Sequence, residues 1–266
     1  MLDMKIHVLA ENTSCRADLV AEHGLSLLIE CNGLRILFDT GATGAFADNA
    51  ERMGVKLSEV DVAVISHGHY DHGGGVERFL QLNNHAPVWV SSHAFDPHFN
   101  AEGKYIGLSA ALVQHPRIQR VAGAVMVLAD GALVLTAPDM PTPHSAEGVG
   151  MNAIVEGERV TDDFRHEQYL LLQAEGMQVL FSGCSHRGIL NIAEYFRPDV
   201  LVGGFHYMKA DPVADAARLR AAAETLLSLP TRYYTGHCTG QVAYELLQPL
   251  MGERLRSLST GQVIEI

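Results

Sequence analysis

The chain alternates short apolar runs with polar, glycine-marked breaks, and the period of those runs changes along it. Residues 4–10 read as a first strand. Residues 25–31 and 34–38 read as a hairpin, because Asn32-Gly33 between them suits a tight two-residue turn. Helical spacing covers 45–53, ending at Gly54, and returns over 75–82 through Val76, Phe79 and Leu80. Between these, residues 57–65 lead into a polar segment, and 87–90 form a short strand. The second half repeats this alternation, with a hairpin over 167–174 and 177–181 turning at Glu175-Gly176, a helix over 190–196 stopped before Pro198, and a buried strand over 200–204. A helix over 214–229, a strand over 231–234, a helix over 241–255 and a closing strand over 262–266 complete it. Strands alternating with helices predict a layered α/β architecture.

Two stretches break the pattern. Residues 91–120, with Phe95, Phe99, Lys104 and Tyr105 among small and polar residues, and residues 138–157, rich in Pro, Gly and Met, read as surface loops or as substrate-covering insertions. With no internal repeat, low-complexity tract or clear linker, a single domain over 1–266 is the simpler organisation.

The densest chemistry lies in Ser66-His67-Gly68-His69-Tyr70-Asp71-His72, between an apolar run and a glycine triplet. Alternate residues of an extended segment point the same way, so His67 and His69 can reach one cation. Asp71 and His72, beyond a turn, can reach a second. Imidazole and carboxylate suit zinc first, with manganese or iron(II) as further fits. A zincin helix is set aside, because the cluster follows a strand and has Gly68 at its centre. The same grammar recurs at Ser182-Gly183-Cys184-Ser185-His186, at Phe205-His206 and at Gly236-His237-Cys238. Each apolar strand ends with His or Cys beside Gly, which would line polar groups along one sheet edge.

Composition narrows the partners. A chain of 266 residues at 47% hydrophobic can bury a large core. The formal charge of −12 disfavours a polyanionic nucleic-acid partner, which is held mainly by Lys and Arg. No apolar run reaches the roughly 18 residues needed to cross a bilayer, and the first residues lack the basic-then-apolar order of a secretory signal. The expectation is a soluble, cytoplasmic protein. Four cysteines without a CxxC pair argue against a disulfide scaffold or a zinc ribbon. Of the 14 histidines, His7, His23, His85, His93, His98, His115 and His144 stand in stretches without another ligand signal and read as surface or packing residues.

Ser-His-Gly-His-Tyr-Asp-His resembles the HxHxDH signature of the metallo-β-lactamase superfamily. The resemblance implies a four-layer αββα sandwich with one or two metal ions at its edge. It implies that Asp39, in Asp39-Thr40-Gly41, supports the metal site from beneath, where the residues alone allow a simple turn former. It makes His237 a terminal ligand and puts Cys184 where the superfamily has a bridging Asp; the alternative for Cys184 is a small buried residue. The first ion's third histidine is either His186 or His166. Phe-Asp-Thr-Gly, Gly-Cys-Ser-His, Gly-Gly-Phe-His and Gly-His-Cys-Thr-Gly, in this order, are similar to the subgroup of 7,8-dihydropterin-6-methyl-4-(β-D-ribofuranosyl)aminobenzene 5′-phosphate synthase, and that subgroup favours His186.

The implied activity is metal-dependent hydrolysis or group transfer on a small, anionic, phosphorylated metabolite, with two divalent ions. Asp71 would ligate the second ion and orient the nucleophile, and His206 would serve as general acid or substrate contact. Ser185 and Arg187, where a helix opens, and Lys209 are candidate phosphate contacts. The alternatives are a mononuclear iron oxygenase and a non-catalytic metal-binding sensor on the same fold.

Overall fold

The computed structural model describes residues 4–129, 131–137, 139–145 and 150–266. The first half lays down β1 (Met4–Ala10), β2 (Ser26–Cys31), β3 (Leu34–Phe38), α1 (Ala45–Arg52), β4 (Val62–Val64), the one-turn α2 (Tyr70–Gly73), α3 (Val76–Leu82), β5 (Val88–Ser91), β6 (His98–Phe99) and β7 (Ile118–Val121). The second half continues with β8 (Val125–Ala129), β9 (Ala132–Leu135), β10 (Asn152–Val155), β11 (Glu158–Thr161), β12 (Tyr169–Ala174), β13 (Met177–Phe181), α4 (Ile189–Phe196) and β14 (Val200–Val202). It ends with α5 (Ala216–Ser228), β15 (Arg232–Thr235), α6 (Gln241–Met251), β16 (Leu255–Ser257) and β17 (Val263–Glu265).

These strands build two seven-stranded sheets on one plan. In the first, β1, β2 and β3 pair antiparallel, then β3, β4, β5 and β7 run parallel, and β17 closes the edge beside β1. In the second, β8, β9, β12 and β13 pair antiparallel, then β13, β14, β15 and β16 run parallel. Both predicted hairpins form. Asn32 (φ 52°) with Gly33 (φ 78°), and Glu175 (φ 50°) with Gly176 (φ 79°), take the paired left-handed conformations such turns need.

Strand alternation sorts the side chains into three apolar layers. Ile36 and Phe38 of β3 face Leu170, Phe181 and Val202 of the opposite sheet. Leu37, between them, points outward to Phe46 of α1 and Phe79 of α3. On the other side Leu180, Leu201 and Tyr233 pack under Ile192 of α4, Leu226 of α5 and Leu247 of α6. The result is helix, sheet, sheet, helix: a mixed α/β sandwich of four layers.

Several elements differ from the sequence reading. The last helix stops at Met251, because Gly252 turns left-handed (φ 55°), and Leu255–Ser257 is an edge strand instead. Over 57–65 only Val62–Val64 is strand, preceded by a 3₁₀ turn at Leu57–Glu59. Strands β8 and β9 have no counterpart in that reading; β8 is an edge strand with Val125 and Val127 exposed, so its pattern lacks a clean inside and outside. The two irregular stretches meet. Within 91–120, β6 pairs with β10, and with β11 they make a small third sheet. Of 138–157, residues 138 and 146–149 lie outside the described residues. Among the described residues no helix is long and apolar enough to cross a membrane.

The contact between the sheets is testable at Phe181, fully buried with its ring 5.7 Å from that of Phe38. Phe181→Ala is expected to destabilise the fold by about 3–5 kcal/mol in denaturant titration, as large-to-small core changes do. A loss under about 1 kcal/mol would mean the sheets do not depend on this contact.

Candidate metal centre

The strands deliver their polar residues at their carboxyl ends, where open α/β sheets place ligands. Asp39 follows β3, His67 to His72 follow β4, Cys184 and His186 follow β13, His206 follows β14, and His237 follows β15. The chain turns sharply at these ends: Asp39 (φ 60°), Ser185 (φ 58°), His206 (φ 56°) and His237 (φ 48°) are all left-handed. Such conformations cost energy in non-glycine residues and persist where surrounding structure holds them.

Two groups of donor atoms converge. The ligand atoms of His67, His69 and His186 lie within 4.8 Å of one another, and so do those of Asp71, His72, Cys184 and His237. In the second group His72 Nε2 is 3.1 Å from Cys184 Sγ and 3.2 Å from His237 Nε2, which is 3.2 Å from Asp71 Oδ2. His67 Nε2, His69 Nε2 and both ring nitrogens of His186 are buried without a hydrogen-bond partner. Buried nitrogens are costly when unsatisfied. Their convergence with a carboxylate and a thiol suits a divalent cation of the zinc kind, so the donor set fits the predicted metals.

Partners behind the rings set their tautomers. Buried Asp39 accepts Ser66 N–H at 2.7 Å and the Ser66 hydroxyl at 2.8 Å, and it faces His72 Nδ1 at 2.6 Å. An ionised carboxylate only accepts, so His72 holds its proton on Nδ1 and turns Nε2 inward. The Ser66 hydroxyl, its proton given to Asp39, accepts from His67 Nδ1 at 2.8 Å. That leaves His67 Nε2 as a free lone pair. His237 is held likewise, with Nδ1 2.9 Å from Asn12 Oδ1 and its backbone N–H donating to Glu11 Oε1. Such outer contacts orient metal-binding imidazoles.

Burial sets the charge states. It pushes His67 and His69 well below the usual imidazole value, and neighbouring imidazoles add to the effect at His67. His186 and His237 are also lowered, again mainly by burial. At His72 burial lowers the value, but Asp39 and Asp71 outweigh it and the net shift is upward. At Asp71 burial raises the value, and His72, His23 and His237 outweigh it, so the carboxylate stays ionised. Burial, then Cys238, pushes the Cys184 thiol well up. Without a cation beside it, Cys184 keeps its proton at neutral pH.

The remaining predicted residues are placed less uniformly. His166 falls in a third group with His69, His98 and Asp162, and is absent from the His67–His186 group. His206 packs at a tilt of 50° against His186 with ring centroids 4.2 Å apart, and burial pushes it down to about 4. It is therefore a neutral imidazole at pH 7, which suits a substrate contact better than a ready-charged acid. Ser185 is fully buried and bonded to Ser182 at 2.8 Å. Arg187 spends its guanidinium on the carbonyls of Thr136, Ala137 and Met140. Both expected phosphate contacts thus have their polar groups hydrogen-bonded within the fold. The helix that Ser185 was expected to open begins only at Ile189. Lys209 is exposed.

Some residues here carry no local signal in the sequence. His23 sits with Nε2 3.4 Å from Asp71 Oδ2 and its ring 4.7 Å from that of His237. Glu11 and Asn12 come from the end of β1, and His98 and Asp162 from the small sheet; distant chain segments bring them in.

Comparison with known proteins accords with this geometry. Residues 20–150 match the family model described as "Metallo-beta-lactamase superfamily". The 7,8-dihydropterin-6-methyl-4-(beta-D-ribofuranosyl)-aminobenzene-5′-phosphate synthase of Methanocaldococcus jannaschii is 26% identical over 99% of this chain and 97% of its own. The uncharacterized protein MJ0448 of the same organism is 30% identical over 76% of this chain and 78% of its own. Among solved structures, Tm1679, a metal-dependent hydrolase of the beta-lactamase superfamily, superposes with a TM-score of 0.83 at 28% identity and 99% coverage of both chains. With its four-layer sandwich and these relatives, the chain belongs to the metallo-β-lactamase superfamily.

Proposed function

We propose that this protein is a dinuclear metal enzyme that hydrolyses, or transfers a group from, a small anionic and phosphorylated metabolite. One observation carries the reading: two adjoining sets of buried donors, with unpartnered lone pairs, meet at a single sheet edge. His67, His69 and His186 hold the first ion, and Asp71, His72, Cys184 and His237 hold the second. Zinc suits the mixture of imidazole, carboxylate and thiolate. The phosphorylated substrate class is supported by the name of the M. jannaschii synthase, whose product carries a 5′-phosphate.

Divalent cations bound there supply Lewis acidity, bringing the pKa of water to about 7 and offsetting negative charge on a leaving group. The chain's own residues do the rest. Asp39 and Ser66 keep His72 and His67 in the tautomer that presents Nε2. Asp71, ionised, orients the attacking water, and His206, neutral, contacts the substrate beside His186. Burial of the ligands excludes bulk water from the reacting groups. Neither a nucleic acid nor a membrane surface is among the proposed partners, given the chain's charge of −12.

Elemental analysis of tag-free protein is expected to find about two divalent ions per chain, and turnover of a panel of small phosphorylated metabolites should stop on chelation. His67→Ala with His69→Ala, or His186→Ala alone, should remove the first ion; a full complement in these variants would refute the ligand set. One iron per chain would point instead to a mononuclear oxygenase.

Metal affinity should also depend on pH. The Cys184 thiol is protonated in the metal-free protein, so its ligation releases one proton. Affinity for the second ion should therefore rise by about tenfold per pH unit for this group alone between pH 6 and 8. In chelator competition Cys184→Ala should weaken that ion and flatten the slope by one proton. An unchanged slope would remove Cys184 from the ligands.

A further inference from the structure

Beside the two ligand groups lies a third cluster, His98, Asp162 and His166, next to His69. All are buried, His166 completely. The cluster is poorly built to hold a cation of its own. Asp162 is already engaged: Oδ2 faces His98 Nδ1 at 2.9 Å and Oδ1 accepts Phe164 N–H at 2.8 Å, while His166 Nε2 stands 3.5 Å from Oδ2 without a hydrogen bond. His69 also belongs to the first ligand group, and one imidazole lone pair serves one ion.

His166 Nδ1 accepts the backbone N–H of Gly68 at 2.8 Å. A backbone amide can only donate, so Nδ1 presents its lone pair and the neutral ring carries its proton on Nε2. The Nε2 lone pair that a ligand would need is then missing. A cation at Nε2 would force the proton onto Nδ1, directly against Gly68 N–H.

Gly68 is the peptide between His67 and His69, and its other side is closed: a Cβ there would meet the Ala94 carbonyl oxygen at 2.4 Å. His98 packs against the His166 ring, with centroids 3.9 Å apart. We propose that His166 is a positioning residue and not a ligand. It holds the peptide that spaces His67 from His69, and Asp162 with His98 holds its ring. The assignment rests on reading His67 and His69 as ligands.

Two-bond ¹⁵N–¹H spectra of the histidine rings, recorded on metal-free and zinc-loaded protein with His166→Asn for assignment, test this directly. The expected result is the Nε2–H tautomer for His166 in both states, while zinc shifts His67, His69 and His186. An Nδ1–H tautomer, or a ligation-sized zinc shift at His166 Nε2, overturns the assignment. If zinc shifts none of the rings, the metal reading fails, and the tautomer in the metal-free protein still decides the role of His166. Zinc titration adds a second readout. His166→Ala should lower affinity about 10- to 100-fold yet keep the full stoichiometry at saturation. His166→Asn, whose side-chain oxygen can accept Gly68 N–H, should recover to within about threefold. Equal impairment of both variants, or loss of a whole ion from either, overturns it.

Discussion

A single buried carboxylate, Asp39, organises the edge at which the two sheets expose their polar ends. Its backbone N–H bonds Val64 O and its carbonyl accepts from Ser26, so it ties β3 to β2 and to the end of β4. Its side chain takes Ser66 N–H, the Ser66 hydroxyl and His72 Nδ1. A buried carboxylate without such partners would cost several kcal/mol. Satisfied in this way, it does more than support the backbone. A hydroxyl has one proton, and because Ser66 gives it to Asp39, His67 must donate to Ser66. One anion thereby sets the tautomers of two imidazoles in different ligand groups.

The site concentrates groups that would be more stable in water. His67, His69, His72, His186 and His237 are each at most 3% exposed, and four of them are held below their normal imidazole value mainly by burial. Their lone pairs face one another across 3–5 Å with no proton donor between several of them. Close packing of acceptors is unfavourable in itself. Burial in the three apolar layers of the sandwich outweighs this cost, and a cation would offset it. The same chemistry keeps the Cys184 thiol protonated until a positive charge arrives.

Neither sheet contains the site alone. His67, His69, Asp71 and His72 follow a strand of the first sheet, whereas Cys184, His186 and His237 follow strands of the second. Both groups therefore require the sheets to dock in one register, through contacts such as Phe38 on Phe181. The two sheets share a plan of antiparallel strands leading into parallel ones, so each supplies carboxyl ends to the same edge. The segment after β6 lies against that edge: Ile106 N–H bonds His98 O of β6, Tyr70 N–H bonds Ile106 O, and His69 bridges to Gly107. Through it the irregular stretch around residues 91–120 reaches the metal loop.

The chain's own pattern was enough for the hairpins at Asn32-Gly33 and Glu175-Gly176, most helices, and the donors from His67 to His72. Those features depend on turn chemistry or on side-chain direction over a few residues, which follows the backbone period. Strands β8 and β9 escaped that pattern because β8, at an edge, has no clean buried face. His23, Asn12, His98 and Asp162 escaped it because nothing beside them in the chain marks them as polar partners. The choice between His186 and His166 was likewise beyond it. Both follow or precede apolar strands, and only the packed structure groups His186 with His67 and His69 and sets His166 Nδ1 under Gly68 N–H. Sequence by itself determined which donors exist and how neighbours on one strand are spaced; docking of the two sheets decided which lone pairs meet, because that depends on ångström-scale packing between segments far apart in the chain.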